Sequence, residues 1–208
     1  MSNKSIILAL MGKSGAGKDT LVNDFCHDHW WANKIVSCTT RPPRDYEQEG
    51  TDYYFITEKE FFSKIENGEM LEHTVFRDWF YGTDITTIHK GVNLGVYNPQ
   101  GYLNLLKAVE HAADPNLIIV GIYIQVDDKI RLLRSLQREE HPDVEEVCRR
   151  FFADKADFDF LDRGDHQEVI RMDNNSASDK MTVMYRIKDI ICDLEGSFPW
   201  ELTNSSLG

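Results

Sequence analysis

The stretch from Ile6 to Lys18 decides the fold, and it reads Ile-Ile-Leu-Ala-Leu-Met-Gly-Lys-Ser-Gly-Ala-Gly-Lys. Its first part, Ile6–Met11, is a continuous apolar run ended by glycine, which is typical of a strand buried in a parallel sheet. Residues 19–29 follow with apolar side chains on one side, which predicts a helix directly after the glycine-rich turn. A turn between a buried strand and a helix places backbone N–H groups at the helix N-terminus, where an anion is favourably held.

The turn itself, Gly12–Lys18, fits the pattern G-x-x-x-x-G-K. Glycines allow positive φ angles, so that successive N–H groups can face one phosphate, while Lys18 neutralises the outer phosphates. The sequence therefore predicts a P-loop that binds ATP. The predicted ATP-binding residues are Gly12, Lys13, Ser14, Gly15, Ala16, Gly17, Lys18, Asp19 and Thr20.

The position after Lys18 usually holds Ser or Thr, whose hydroxyl binds Mg²⁺. This chain has Asp19 there, followed by Thr20. Three interpretations stay open: the carboxylate of Asp19 binds Mg²⁺ directly or through water, Thr20 takes over that role, or Asp19 only caps the helix. We expect Mg²⁺ as a cofactor with ATP, and Asp19 and Thr20 are the predicted metal residues.

The length and composition of the chain argue against several classes of protein. A chain of 208 residues suits one compact domain with inserted lobes. Its net charge of −12 argues against a general nucleic-acid binder. The four cysteines are scattered, as expected for reduced thiols, and the first apolar run is too short for a membrane span. We expect a cytoplasmic protein without a nucleic-acid or membrane partner, and the sequence leaves its oligomeric state open.

Strand and helix patterns alternate along the chain, which predicts a parallel sheet with helices on both faces. The predicted strands after the first are Lys34–Cys38, Gly91–Val96, Asn116–Val126 and Glu168–Met172. Helices are predicted over Gln100–Ala113, from the Asp127-Asp128 cap onward, and over Ser178–Leu194. The predicted core comprises residues 4–36, 88–126 and 164–195, with a mainly β insert at 37–87, a helical lid at 127–163 and a loose tail at 196–208.

The insert contains a series of short motifs in a fixed order. They are Ser37-Cys38-Thr39-Thr40-Arg41-Pro42-Pro43-Arg44, Gly50-Thr51-Asp52-Tyr53-Tyr54-Phe55, Asn67-Gly68-Glu69-Met70-Leu71-Glu72 and Tyr81-Gly82-Thr83. Together with the P-loop, they resemble the guanylate kinase family of P-loop nucleoside monophosphate kinases. The resemblance implies transfer of the γ-phosphoryl group of ATP to GMP or dGMP. It is specific over the first eighty residues and weaker in the second half.

The resemblance also implies roles for individual residues of the insert. Two guanidinium groups at Arg41 and Arg44 suit a phosphate dianion, and Tyr53 and Tyr81 would add hydroxyl donors. Glu72 would accept hydrogen bonds from the adjacent N1–H and N2–H₂ donors of guanine, because an ionised carboxylate only accepts. The predicted acceptor-binding residues are Ser37, Arg41, Arg44, Tyr53, Glu72, Tyr81, Thr83 and Asn98.

The lid region is rich in arginine. Arg134 and Arg138 lie four residues apart and share a helical face, and Arg149-Arg150 follows an acidic turn. By resemblance, Arg134 and Arg138 match lid arginines of the family, and either Arg149 or Arg150 matches the next one. Arginines that close over the transferring phosphoryl group would neutralise its developing charge and keep water out. Surface ion pairing is the alternative for these side chains. The predicted catalytic residues are Lys18, Arg41, Arg134, Arg138 and Arg150.

One segment departs from the family pattern. Members usually carry aspartates at the end of the core strand that here reads Val96-Tyr97-Asn98-Pro99-Gln100-Gly101, which holds no carboxylate. Asn98 or Tyr97 would have to stand in for one of them. The departure keeps two alternatives open: the same chemistry on another or a modified deoxynucleoside monophosphate, and a catalytically silent binding module. The intact P-loop and lid arginines argue against the silent module.

Overall fold

The computed structural model describes residues 4–44, 47–76, 78–112, 114–138 and 141–195. Their core is a five-stranded parallel sheet, which confirms the predicted fold class. The spatial order of its strands is β2 (Ala32–Lys34), β7 (Gly91–Val96), β1 (Ser5–Met11), β8 (Leu117–Gln125) and β9 (Ile170–Asp173).

Strand β1 lies at the centre of this sheet, and its residues from Ile6 to Met11 are fully buried. Successive side chains of a strand point to opposite faces, so the side chains of this apolar run pack into two separate hydrophobic cores. Ile6, Leu8 and Leu10 pack on one face and Ile7, Ala9 and Met11 on the other. Burial on both faces explains why the strand is continuously apolar and does not alternate with polar residues.

Helices cover both faces of the core sheet. Helix α1 (Lys18–Asp28) and helix α7 (Ala177–Glu195) contribute to the first core, and helix α3 (Pro99–Ala112) contributes to the second. The arginine-rich region predicted as a lid forms α4 (Asp128–Gln137), α5 (Val144–Asp157) and the short α6 (Asp159–Asp162), and these three are named the lid helices. Leu161 of α6 also packs into the second core.

A second, four-stranded sheet is formed between core strands β2 and β7 of the sequence. Helix α2 (Glu58–Glu66) packs beside it and begins at Thr57, whose hydroxyl accepts from the N–H of Glu60 in a capping box. A 3₁₀ turn at Ile85–Thr87 leads back to the core. The spatial order of the strands is β4 (Tyr54–Phe55), β3 (Cys38–Thr39), β6 (Trp79–Asp84) and β5 (Met70–Phe76).

Two of the predicted strands were misplaced. The run Lys34–Cys38 is not one strand: β2 ends at Lys34 in the core sheet, and Cys38 opens β3 in the second sheet. The last strand begins two residues later than predicted, at Ile170, because the chain still turns where the N–H of Val169 donates to the carbonyl of His166.

Helix α4 begins after Asp127 as predicted, but the Asp127 side chain makes no capping hydrogen bond. The predicted tail 196–208 lies outside the described residues. Within the described ranges, none of the helices is both long and apolar enough to cross a membrane.

Candidate active site

A cavity of about 190 Å³ lies at the carboxyl end of β1, where ligands bind in open parallel sheets, and it is named the main cavity because most of the predicted site residues line it. It is lined by the P-loop, the second sheet, the segment after β7 and the lid helices. Of the predicted site residues, it brings together Gly12, Ser14, Gly15, Lys18, Asp19, Ser37, Arg41, Arg44, Tyr53, Glu72, Tyr81, Asn98, Arg138 and Arg150.

The P-loop packs tightly against the lid. Gly15 has a φ of +80°, and a Cβ placed there would lie 2.2 Å from the backbone oxygen of Arg131 in α4. Both the backbone angle and the space therefore require glycine. The Nζ of Lys18 donates to the carbonyl of Gly12 at 2.7 Å. Burial lowers the pKa of Lys18, while Asp19 acts in the opposite direction.

Asp19 and Thr20 lie on different sides of the same helical turn. Asp19 lines the main cavity, whereas Thr20 lines a second one. Burial, and then the charge of Asp19, raises the pKa of Tyr53 in the second sheet. Asp19 and Tyr53 thus line the same cavity, one from the P-loop side and the other from the second sheet. No group of three His, Cys, Asp or Glu side chains that could hold a metal occurs among the described residues.

A lid carboxylate that the sequence did not single out contacts the P-loop directly. Asp154 of α5 accepts from the backbone N–H of Ser14 at 2.8 Å and from Arg131 at 3.2 Å. Arg131 is itself fully buried, and its guanidinium lies 3.7 Å from the ring centroid of Phe151. A buried charge pair of this kind costs about 3–5 kcal/mol when one partner is removed. These contacts attach α4 and α5 to the phosphate-binding turn.

Arg41 and Arg44 converge on one carboxylate, that of Glu47. Arg41 donates to both of its oxygens, at 2.8 and 2.9 Å, and Arg44 donates at 3.2 Å. The side chain of Glu47 is only 5% exposed. Sequence reasoning missed Glu47, although its position three residues after Arg44 is the signal that could have identified it. The carboxylate holds the two guanidinium groups side by side, which is the arrangement that a phosphate dianion requires.

The predicted tyrosines lie beside these arginines. Arg41 donates from Nε to the hydroxyl of Tyr81 at 3.3 Å, and its guanidinium lies 5.6 Å from the ring centroid of Tyr53. The two tyrosine rings meet edge to face, with centroids 5.9 Å apart. A cationic and hydroxyl-rich surface thus lines the main cavity opposite the P-loop.

Glu72 is a buried carboxylate on the side of the cavity formed by the second sheet. It lies on β5 directly opposite Thr83 of β6, whose hydroxyl donates to its Oε1 at 2.8 Å. Its Oε2 is buried and has no hydrogen-bond partner among the residues that the structure describes. Burial raises the pKa of Glu72 to about 7 against the opposing effect of the Thr83 hydrogen bond. A buried acceptor without a donor is costly, so Glu72 is suited to a ligand that brings N–H groups.

The segment after β7 supplies two polar side chains. The Oδ1 of Asn98 accepts from the N–H of Gly101 at 2.7 Å, at the start of α3. Asn98 therefore caps this helix as well as lining the cavity, which limits its use as a substitute for aspartate. The hydroxyl oxygens of Tyr97 and Thr83 are 3.2 Å apart.

The lid arginines divide between two cavities. Arg138 and Arg150 line the main cavity, whereas Arg149 is exposed and paired with Glu146 at 2.6 Å. Arg134, predicted beside Arg138, donates to the carbonyl oxygens of residues 174 and 175. It lines a second cavity of about 220 Å³ together with Gly17, Thr20 and Asn174. The remaining predicted P-loop residues line neither cavity: Ala16 is buried in the core, and Lys13 pairs with Asp162 at 2.7 Å.

Comparison with known proteins shows to which family this chain belongs. Residues 2–186 match the model of the family described as guanylate kinase. The chain belongs to the guanylate kinase family. This confirms the resemblance of the insert motifs, and it extends that resemblance from the first eighty residues to nearly the whole chain.

Individual guanylate kinases match to different extents. The protein of that name from Latilactobacillus sakei is 38% identical over 46% of this chain, and the match spans 47% of its own length. The guanylate kinase of the Wolbachia symbiont of Brugia malayi is 27% identical over 80% of this chain and 85% of its own. The crystal structure of guanylate kinase from Anaplasma phagocytophilum superposes with a TM-score of 0.60 at 26% identity, covering 90% of this chain and 86% of that one. The chain thus aligns with about half the length of the first of these relatives.

Proposed function

We propose that this protein transfers the γ-phosphoryl group of ATP to GMP or dGMP, giving the diphosphate and ADP. The observation that supports this most strongly is the shared main cavity. Lys18 of the P-loop, the arginine pair Arg41 and Arg44, and the buried carboxylate Glu72 all line it. Donor phosphates, acceptor phosphate and acceptor base therefore have complementary groups along one continuous space.

ATP binds along the P-loop in this proposal. Its outer phosphates lie against Lys18 and the backbone N–H groups of the turn, where the dipole of α1 favours negative charge. The nucleoside part extends into the second cavity, beside Arg134 and Asn174. Thr20 lines that cavity, so we assign Thr20 to the bound nucleotide and not to the metal.

The Asp19 carboxylate and the phosphates of bound ATP are suitable ligands for Mg²⁺. This cation usually keeps several waters and takes one or two carboxylates together with substrate phosphates. Asp19 provides one carboxylate on the cavity side of the turn, so Asp19 and the phosphates of ATP would hold the ion. When bound, Mg²⁺ supplies positive charge at the phosphate oxygens.

The acceptor binds on the opposite side of the cavity. Its phosphate lies against Arg41, Arg44, Tyr53 and Tyr81, and its base reaches Glu72. The orphaned Oε2 accepts from the N1–H and N2–H₂ of guanine, whereas adenine presents an acceptor at N1 and would leave the carboxylate unsatisfied. The transfer needs no covalent enzyme intermediate, because positioning and charge stabilisation supply the rate. Arg138 and Arg150 neutralise the transferring group from the lid side.

The test is a coupled ADP-release assay with ATP, Mg²⁺ and a panel of ribo- and deoxynucleoside monophosphates. We expect turnover with GMP, dGMP or both, and little turnover with AMP, CMP, UMP or dTMP. A preference for a different base would show that the acceptor is not a guanine nucleotide. Binding of ATP without turnover of any monophosphate would contradict the kinase proposal. A cytoplasmic location belongs to the same proposal, because both substrates are cytoplasmic nucleotides and the four cysteines are free thiols.

A further inference from the structure

Three oxygen atoms form a chain behind the base end of the main cavity. The hydroxyl of Tyr97 lies 3.2 Å from that of Thr83, which in turn lies 2.8 Å from Oε1 of Glu72. All three side chains are buried, with exposed fractions of 5%, 0% and 7%. They come from three separate segments: the loop after β7, strand β6 and strand β5.

The position of Tyr97 is built into the core. Its backbone N–H donates to the carbonyl of Leu10 at the end of β1, at 3.0 Å. Its ring folds back over Gly95, where an added Cβ would lie 2.6 Å from the ring. Glycine at position 95 therefore leaves the space that the ring needs. Tyr97 thus connects the central strand of the core to the acceptor-binding sheet.

The direction of the hydrogen bonds follows from the chemistry of Glu72. An ionised carboxylate only accepts, so the Thr83 proton goes to Glu72. The Thr83 oxygen is then left to accept the proton of Tyr97. In this arrangement each hydroxyl proton is used once, and Oε2 of Glu72 is left without a donor among the described residues.

We propose that Tyr97 is a specificity-determining residue of the acceptor site, because its hydroxyl holds Thr83 as a donor to Glu72 and so keeps Glu72 an acceptor for the N–H groups of guanine. This rests on the proposed function. Tyr97 acts through Thr83 and does not itself contact the base, so it is a positioning residue. It takes this role at the strand end where the segment Val96–Gly101 provides no carboxylate.

Loss of the Tyr97 hydroxyl affects the protonation of Glu72. Thr83 could then donate its proton elsewhere, so Glu72 would lose the hydrogen bond that opposes the effect of burial. The pKa of Glu72, already about 7, would rise further. A protonated Glu72 donates a hydrogen bond and suits the N1 acceptor of adenine better than guanine. Among the described residues, the other charged groups that line the cavity are Lys18, Asp19, Arg41, Arg44, Arg138, Arg150 and Asp154.

The experiment compares wild type with Tyr97→Phe, which keeps the ring and removes only the hydroxyl. Tyr102→Phe is the matched control, because Tyr102 is equally buried in the same core but does not line the cavity. KM for GMP, KM for ATP and kcat are measured between pH 6 and pH 9, with AMP as the competing acceptor. Chemical denaturation of each variant establishes that it is folded.

For Tyr97→Phe we expect KM for GMP to rise roughly three- to tenfold at pH 8, the range for one lost hydrogen bond. The rise should be larger at pH 6.5, the GMP-to-AMP preference should fall, and KM for ATP should stay within about twofold. Tyr102→Phe should match wild type. An unchanged KM and pH profile in Tyr97→Phe would overturn the assignment while leaving the kinase proposal intact. Equal rises in both KM values, as from general loosening, would overturn it as well. Absence of GMP turnover in wild type would instead count against the proposed function itself.

Discussion

The donor end of the cavity is made from one continuous segment, whereas the base end is made from three separate ones. Residues 12–19 supply the phosphate-binding turn, Lys18 and Asp19 without a break in the chain. At the base end, Glu72, Thr83 and Tyr97 come from two strands and a loop that meet only in the folded protein. In the proposed function, the first end binds charge that every nucleoside triphosphate shares, and the second distinguishes one base from another. Phosphate binding thus depends on one short stretch of sequence, whereas selectivity for the base depends on segments that only the fold brings together.

The largest effect is expected at the donor end. Lys18→Ala removes a buried cation from the phosphate site and should lower kcat by about 1,000-fold, in the range seen when one charge-stabilising donor is lost. Steady-state rates with GMP measure this directly. The control is Lys107→Ala, which removes an exposed lysine of α3. A Lys18→Ala enzyme within tenfold of wild type would contradict the assignment of the P-loop as the donor site.

A smaller but more selective effect is expected on the acceptor side. Arg41→Ala should reduce kcat/KM for GMP by about 100-fold, because charge-assisted bonds to the phosphate are lost. KM for ATP should change little. Arg163→Ala, which removes a surface arginine that is 63% exposed, provides the comparison. If KM for ATP rose as much as KM for GMP, the two ends of the cavity could not be as separate as the structure indicates.

Two adjacent lid arginines allow a sharper comparison. Both pair with Glu146, but Arg150 lines the cavity and is 15% exposed, whereas Arg149 is 55% exposed. Arg150→Ala should lower kcat by about tenfold or more, and Arg149→Ala by less than about twofold, since exposed ion pairs contribute little. Equal losses in both variants, measured under saturating substrates, would show that the lid acts through its overall charge and not through Arg150.

A further effect concerns stability and tests the base end without substrate. The pKa of Glu72 in the folded protein is about 7, above its ordinary value of 4.5. Between these pH values the folded protein holds a proton that the unfolded chain has released, so the free energy of unfolding falls as pH rises from about 4.5 to 7. Glu72→Gln abolishes this titration and should gain about 1–3 kcal/mol relative to wild type between pH 5 and pH 8. Urea denaturation at both pH values gives the difference, and a pH-independent difference would mean that Glu72 is not buried as described.

The sequence predicted those parts of the molecule whose signals lie close together in the chain. The apolar run Ile6–Met11 and the glycine turn predicted the central strand and the proposed donor site. A few neighbouring residues suffice for such signals, because they determine whether a strand is buried and which backbone angles a turn can adopt. Contacts between distant segments could not be predicted. Arg134 and Arg138 share a helical spacing, yet they line different cavities, because the segment after β9 lies beside one and not the other.

The residues missed at the site have the same explanation. Asp154 lies in an acid-rich helix with nothing local to distinguish it, and only the packing of α5 against the P-loop brings it to Ser14. Tyr97 appeared in the sequence as one of two substitutes for a missing aspartate. The structure separates the two, because Asn98 is engaged at the start of α3 whereas Tyr97 reaches Thr83.

The most direct test of the account is the ratio of kcat/KM values for GMP and AMP in wild type and in Glu72→Gln at pH 8. The substitution preserves the size of the side chain and removes its charge. We expect kcat/KM for GMP to fall by about 100-fold, because the adjacent N–H donors of guanine lose their charged acceptor, while KM for ATP is unchanged. If Glu72→Gln uses GMP as well as wild type does and still discriminates against AMP, the base is selected elsewhere and the assignment of the buried carboxylate is wrong.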